Sequence, residues 1–130
     1  ALVVHNPESN MGNAVGCAPV LTMLQRGVRV GLGTDGYTSD MLESLKVANL
    51  LHKHQQQDAA VAWAEPHEML FGQNAEFASA CFDSPLGQLV PGALADVIVV
   101  DYEPPTPLTA AIFAGREQQN RVNYCKEITS

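Results

Sequence analysis

The sequence predicts an α/β fold organised on parallel strands, and three features carry that prediction. Leu2-Val3-Val4 is an apolar run cut off by the polar, Pro-containing HNPESN; a helical stretch follows from Pro19 to Arg26; then Val28, Val30 and Leu32 alternate with Arg29 and Gly31. Strand, helix, strand with short connections forms a right-handed parallel crossover in almost every case. Both strands then run the same way, and the loops leaving their C-terminal ends, HNPESN and TDGYTSD, lie side by side. That rim is where α/β barrels and open parallel sheets hold their chemistry.

Each element has a local cause. Leu2 to Val4 is short and apolar, as a buried strand is, and Pro and Asn in HNPESN read as loop. Pro19 suits a first helical position, Leu21 and Leu24 continue the helix, and Gly27 stops it. Val28 to Leu32 alternates with the period of a strand. Asp40 is an N-cap with Glu43 three residues on as the reciprocal half of a capping box, and this helix reaches about His54. Met41, Leu45, Ala48 and Leu51 form its apolar stripe, the ordinary signature of a core-facing surface. QQQDAAVAWAE is a connection, and Pro66 starts another helical stretch, broken at Gly72 and resumed from Asn74 to Phe82. From Ser84 the character changes, with Gly and Pro punctuating two short runs, Gln88 to Val90 and Asp96 to Asp101, that read as strands of a separate small β-layer.

Composition sets limits on partners. The 130 residues carry a formal net charge of −7, with 46% hydrophobic and 16% charged residues, which is globular composition for one ordinary domain. The seven Lys and Arg are scattered, which argues against a nucleic-acid partner. The longest apolar runs, such as Val97 to Val100, are far too short to span a bilayer. Cys17, Cys81 and Cys125 are an odd set without C-x-x-C spacing, which favours reduced thiols and a cytoplasmic location over a disulfide framework or a zinc cluster. The chain opens without Met in a run already strand-like, which reads as the interior of a longer protein, a processed terminus being the alternative.

One segment admits two chemistries. Gly31-Leu32-Gly33-Thr34-Asp35-Gly36 has the G-x-G-x-x-G spacing that cradles a dinucleotide pyrophosphate, with Gly31, Gly33 and Gly36 as the candidate residues. Against this, Asp35 would set a negative charge inside a phosphate loop, and about 20 residues on, where that motif expects a second acid, the chain reads KHQQQD. The other reading puts the Asp35 carboxylate at the end of a parallel strand, beside a neighbour delivering His5 and Asn6, where it can coordinate a divalent metal and accept a proton from water. Asp-Gly is also a common turn pair, so Asp35 as a plain turn residue stays open. His52 and His54 are two apart, which on a helix turns them about 200° away from each other; they read as solvated helix-end residues, and His67 as exposed. No G-x-S-x-G elbow supports a serine nucleophile at Ser9 or Ser39.

The segment VVHNPESNMGNAVGCAPVLTMLQRGVRVGLGTDGYTSDMLESLKVANLLHK resembles the seventh and eighth βα units of the amidohydrolase superfamily, in its aminohydrolase and chlorohydrolase branch. LGQLVPGALADVIVVDYEPPTP is similar to that family's return to a small β-sandwich, G-x-L-x-x-G-x-x-A-D. SNM, LGTDGYTSDM and PPTPL together are closest to the aminohydrolases associated with selenium metabolism. The resemblance covers Leu2 to about Ala110; the tail AIFAGREQQNRVNYCKEITS departs from the pattern and has no assignment. It implies residues 1–83 as the last two βα units of a TIM (β/α)8 barrel and residues 84–110 as the sandwich return. It further implies hydrolysis of a non-peptide C–N bond in a small molecule by metal-activated water. The metal would be zinc, with iron as the alternative, bound in the full-length protein. Asp35 matches the strand-eight metal and catalytic aspartate. His5, Asn6, Ser9 and Asn10 match the strand-seven pocket motif, and Ser39 falls where some members touch substrate. The family's metal-binding histidines and catalytic Glu have no counterpart here, so the isolated chain is expected to be inactive, its partners being the N-terminal part of the barrel and further copies in a homo-oligomer. The alternative from another class is a non-catalytic α/β interaction module.

Overall fold

A computed structural model of the chain describes residues 2–101. By internal contacts the chain divides into two units, Ala1–Ala95 and Asp96–Ser130. The first unit contains β1 (Val3–His5), α1 (Pro7–Gly12), α2 (Val20–Gln25), β2 (Val30–Leu32), α3 (Met41–Gln56) and α4 (Glu65–His67). A π-helical segment, Glu68–Gln73, then leads into α5 (Asn74–Phe82).

The strands pair in parallel, with Val3 opposite Val30, Val4 opposite Gly31 and His5 opposite Leu32. Gly33 N–H donates to the His5 carbonyl at 2.9 Å and carries the pairing one step past the ladder. Successive strand side chains point to opposite faces, so His5, Val30 and Leu32 share one face and Val4 and Gly31 the other. The first face is covered by helices: Val30 and Leu32 are buried together with Val20 of α2, Leu45 and Ala48 of α3, and Met69. The second face is open, and Val4 is 52% exposed there.

The outer edge of β2 would present bare N–H and C=O groups. Asn74, at the start of α5, occupies it: its Nδ2 donates to the Leu32 carbonyl at 2.7 Å, and its Oδ1 accepts from the Leu32 N–H at 3.1 Å. One amide thus reproduces for Leu32 what a neighbouring strand would supply. Nearby, Arg29 and Glu76 form an ion pair at 2.8 Å with both side chains more than half exposed.

Several expectations change. HNPESN is not an open loop: Pro7 begins α1, because its fixed φ suits a first helical position as well as it ends a strand. Pro19 stands one place earlier than expected, as the N-cap of α2. Asp40 caps α3 by accepting from Leu42 N–H at 2.9 Å and Glu43 N–H at 3.2 Å. The Asp40 N–H in turn donates to Thr38 Oγ1 at 3.0 Å and not to Glu43. Gln88 to Val90 form no strand, since the Val90 carbonyl is taken in a turn by Ala93 N–H and the Pro85 carbonyl by Leu94 N–H. Asp96 to Asp101 likewise form no strand among the described residues, where no neighbouring strand offers them a ladder. The PPTPL motif, the tail and Cys125 lie outside the described residues.

His52 is the largest departure. It was expected in solvent, yet it is 2% exposed, as is His5, because α3 lays that side of its last turns on the sheet. The two rings stand 5.1 Å apart between centroids at 38°. His52 Nδ1 lies 3.6 Å from Cys17 Sγ. Neither nitrogen of His5, nor His52 Nε2, has a hydrogen-bond partner among the described residues. Burial, with His52 adding repulsion, lowers His5 from its ordinary 6.5 to about 4. Burial also lowers His52, with Glu65 acting in the opposite direction. His54, by contrast, is exposed as expected.

Two outcomes follow from this packing. Asn74→Ala strips both partners from the buried Leu32 peptide groups and is expected to cost about 1–3 kcal/mol in urea unfolding, whereas Glu76→Ala, at an exposed pair, costs less than about 1 kcal/mol. The buried His5 stays neutral in the fold while the unfolded chain takes up a proton near pH 6.5. The unfolded state therefore binds more protons between about pH 6.5 and 4, and stability falls as pH drops through that window. Between pH 7.5 and 5.5 His5 alone accounts for a loss of about 1 kcal/mol. His5→Leu should flatten that part of the profile of urea midpoint against pH.

Candidate active site

Parallel pairing of β1 and β2 sends the chain out of both strands at the same end. From β1 it enters α1 directly, so Asn6, Ser9, Asn10 and Asn13 are set by one short helix. From β2 it runs through Gly33 and Thr34 into a turn at Asp35, whose φ of +55° is left-handed. Asp tolerates that conformation better than most residues with a side chain. Asp35 is thus both the turn residue and the carboxylate that the sequence singled out.

The two loops are joined by side chains. Ser9 Oγ donates to Asp35 Oδ2 at 2.7 Å, an ordinary O–H···O length. Asn13 Nδ2 donates to Ser9 Oγ at 3.2 Å and to the Ser9 carbonyl at 3.0 Å. Ser9 is 4% exposed, whereas Asp35 is exposed. A second contact braces the same loops: an added Cβ on Gly12 would fall 1.5 Å from the Tyr37 hydroxyl, so the phenol lies directly against the end of α1. Below them, Ser44 of α3 donates to Glu8 Oε2 at 2.9 Å and ties α1 to the helical layer.

The expected site residues therefore separate. Asn6 and Ser9 join Asp35 and Gly33 at the rim, and Asn6 Oδ1 would stand 2.4 Å from a Cβ at Gly33. Asn10 is half-buried in α1, where its N–H donates to the Asn6 carbonyl at 3.0 Å. Ser39 is exposed just before α3. His5 goes the other way: strand alternation turns it from Asn6 into the helix-covered core beside His52, and it does not line the rim with Asp35. Period-two alternation in the sequence already separates His5 from Asn6. Asn13 was missed, because an Asn after a helix-ending Gly looks like any cap.

The phosphate-cradle reading does not survive the geometry. Asn74 Oδ1 and Asn6 Oδ1 fill the spaces beside Gly31 and Gly33, and Gly36 leads into a loop that reaches α3 only at Met41. There the first N–H groups of α3 are already held by the Asp40 carboxylate. Among the described residues no group of three or more His, Cys, Asp or Glu is placed to hold a metal ion. Asp35 fits a metal as one carboxylate ligand, but the residues beside it do not make up a set. No helix among the described residues is long and apolar enough to cross a membrane.

The chain is similar to known proteins over most of its length. The chain is 40% identical over 107 residues to the 5-methylthioadenosine/S-adenosylhomocysteine deaminase of Thermococcus onnurineus, a match that covers 79% of the chain and 24% of that protein. It is 41% identical over 108 residues to the 5'-deoxyadenosine deaminase of Methanopyrus kandleri, covering 80% of the chain and 25% of the relative. Against the 5-methylthioadenosine/S-adenosylhomocysteine deaminase of Syntrophobacter fumaroxidans the identity is 39% over 130 residues, 92% of the chain and 29% of the relative. The chain thus spans about a quarter of the length of the curated relatives it matches. No solved structure matches it. The model of the amidohydrolase family matches residues 1–125, and the chain belongs to that family.

Proposed function

We propose that the chain supplies the last two βα units of a barrel whose full-length form is a metal-dependent aminohydrolase, one that hydrolyses a C–N bond of an adenosine-class nucleoside. The observation that carries this reading is the Asp35 carboxylate, held at the C-terminal rim of two parallel strands by a hydroxyl from the neighbouring loop. The deaminases named above, similar over most of this chain, support it.

A catalytic zinc takes about three protein ligands and a water. Asp35 offers one, and the remaining ligands are expected from polypeptide other than these residues. A divalent ion, zinc or alternatively iron, would, when held by Asp35 and those other ligands, supply a water of lowered pKa as nucleophile. The chain's own contribution is local. Asp35, bonded to Ser9 through Oδ2, would accept a proton from that water at its other carboxylate oxygen. Asn6 and Gly33 shape the rim beside Asp35, and Ser39 lies exposed further along the same loop. Water oxygen replaces the amino group at the ring carbon, and the departing nitrogen leaves as ammonia with the proton returned to it.

A free-standing interaction module is the second reading, favoured by the open face of the sheet with its exposed Val4. Size-exclusion chromatography with a dye for exposed apolar surface separates the two. Dye binding and self-association are expected of a piece of barrel, and a compact monomer that leaves the dye dark favours the module.

Activity is expected only in company. The purified 130-residue chain with added zinc should release no ammonia from 5'-deoxyadenosine, and turnover by it would overturn that expectation. In the natural polypeptide that carries this chain, Asp35→Asn should lower kcat by about 10²–10⁴-fold, the range for losing a positioned acid–base group.

A further inference from the structure

We propose that Asn13 and Ser9 form a positioning relay that fixes which oxygen of Asp35 faces the reaction. The proposal rests on the reading of Asp35 given above, and deepens it by assigning Ser9 and Asn13 a role other than lining the pocket.

The direction of each hydrogen bond is set by chemistry alone. The Ser9 carbonyl can only accept, so the amide end of Asn13 that faces it at 3.0 Å must be Nδ2. The same Nδ2 reaches Ser9 Oγ at 3.2 Å and therefore donates into a lone pair of the hydroxyl. An ionised carboxylate can only accept as well, so the single hydroxyl proton of Ser9 lies on the 2.7 Å line to Asp35 Oδ2. With Asn13 donating on one side, the hydroxyl has one remaining orientation, and it points at the carboxylate.

Position makes the relay stiff. Ser9 is 4% exposed and sits on α1, and the Asn13 N–H also donates to the Ser9 carbonyl at 2.9 Å. Asn13 thus grips Ser9 through both its backbone and its side chain. Asp35 approaches from the other strand in a left-handed turn, so its exposed carboxylate would otherwise rotate in solvent. The relay occupies Oδ2 and would leave the other carboxylate oxygen for a metal or its water. Orienting partners of metal ligands act in this way, and their loss typically costs 10–100-fold in metal affinity or activity.

The test uses the natural polypeptide that carries this chain, with zinc affinity read by competition with a chromophoric chelator alongside kcat, KM and thermal midpoint. Ser9→Ala is expected to weaken zinc binding and to lower kcat by about 10–100-fold with KM little changed. Asn13→Asp keeps the shape but turns the donor into a competing acceptor, and should move both readouts the same way. Ser9→Thr, which retains the hydroxyl, should recover most of the loss. If Ser9→Ala and Asn13→Asp bind zinc and turn over like the wild type while Asp35→Asn is dead, the relay is overturned and the reading of Asp35 stands. If Asp35→Asn itself keeps wild-type turnover, both fall. A loss in Ser9→Ala that tracks a lowered thermal midpoint and is not recovered in Ser9→Thr also overturns the relay, because the hydroxyl would then matter only for packing.

Discussion

The parallel pairing of β1 with β2 is the constraint on which the rest depends. Three residue pairs, Val3 with Val30, Val4 with Gly31 and His5 with Leu32, fix both the direction and the register of the two strands. Direction puts the two exits at one end, so that a hydroxyl on α1 and a carboxylate 26 residues later meet at 2.7 Å. Register decides which side chains share a face. A slip of one residue would exchange the two faces, bringing His5 to the open side and burying the position of Asn6 under α3.

That division of faces also separates the core from the rim. The helix-covered side holds Val20, Val30, Leu32, Leu45, Ala48 and Met69, together with the neutral His5 and His52 pair. The other side and the rim above it hold Val4, Asn6, Gly33 and Asp35. Changes at His5 accordingly act through folding, and changes at Asp35 act through the rim. The edge of β2 is a third region. Asn74 there matches the hydrogen-bonding pattern of a strand for a single residue, Leu32, which satisfies the edge without extending the sheet.

Much of this was legible in the sequence because it rests on periodicity and punctuation. Alternation from Val28 to Leu32, the stop at Gly27 and the cap at Asp40 each have a local cause, and parallel strands follow from the short crossover. Asp35 at the rim follows from those elements together, and family resemblance gave it a role. What was not legible depends on contacts between residues far apart. Nothing local shows that His52 meets His5 across 47 positions, or that Asn74 reaches Leu32. HNPESN misled for a different reason: Pro ends a strand and starts a helix by the same fixed φ, so the letter alone does not say which. Among the described residues, Gln88 to Val90 and Asp96 to Asp101 form no strand, because no neighbouring strand there offers their apolar patterning a ladder.

The glycines of GLGTDG show how one pattern can serve two physical purposes. In a phosphate loop, glycine lets a backbone approach an anion, and the N–H groups of the following helix must be free to receive it. Here the spaces at Gly31 and Gly33 are filled by the amide oxygens of Asn74 and Asn6 and by Val4, and the helix N–H groups are held by Asp40. Any side chain at Gly33 would displace Asn6 from the rim, and one at Gly31 would push Asn74 off the strand edge. The glycines are needed for close approach by this chain's own side chains. That approach closes the edge of β2 on one side and clears the rim on the other, leaving Asp35 at the rim with Ser9 to hold it, while Asp40 is spent on the cap of α3.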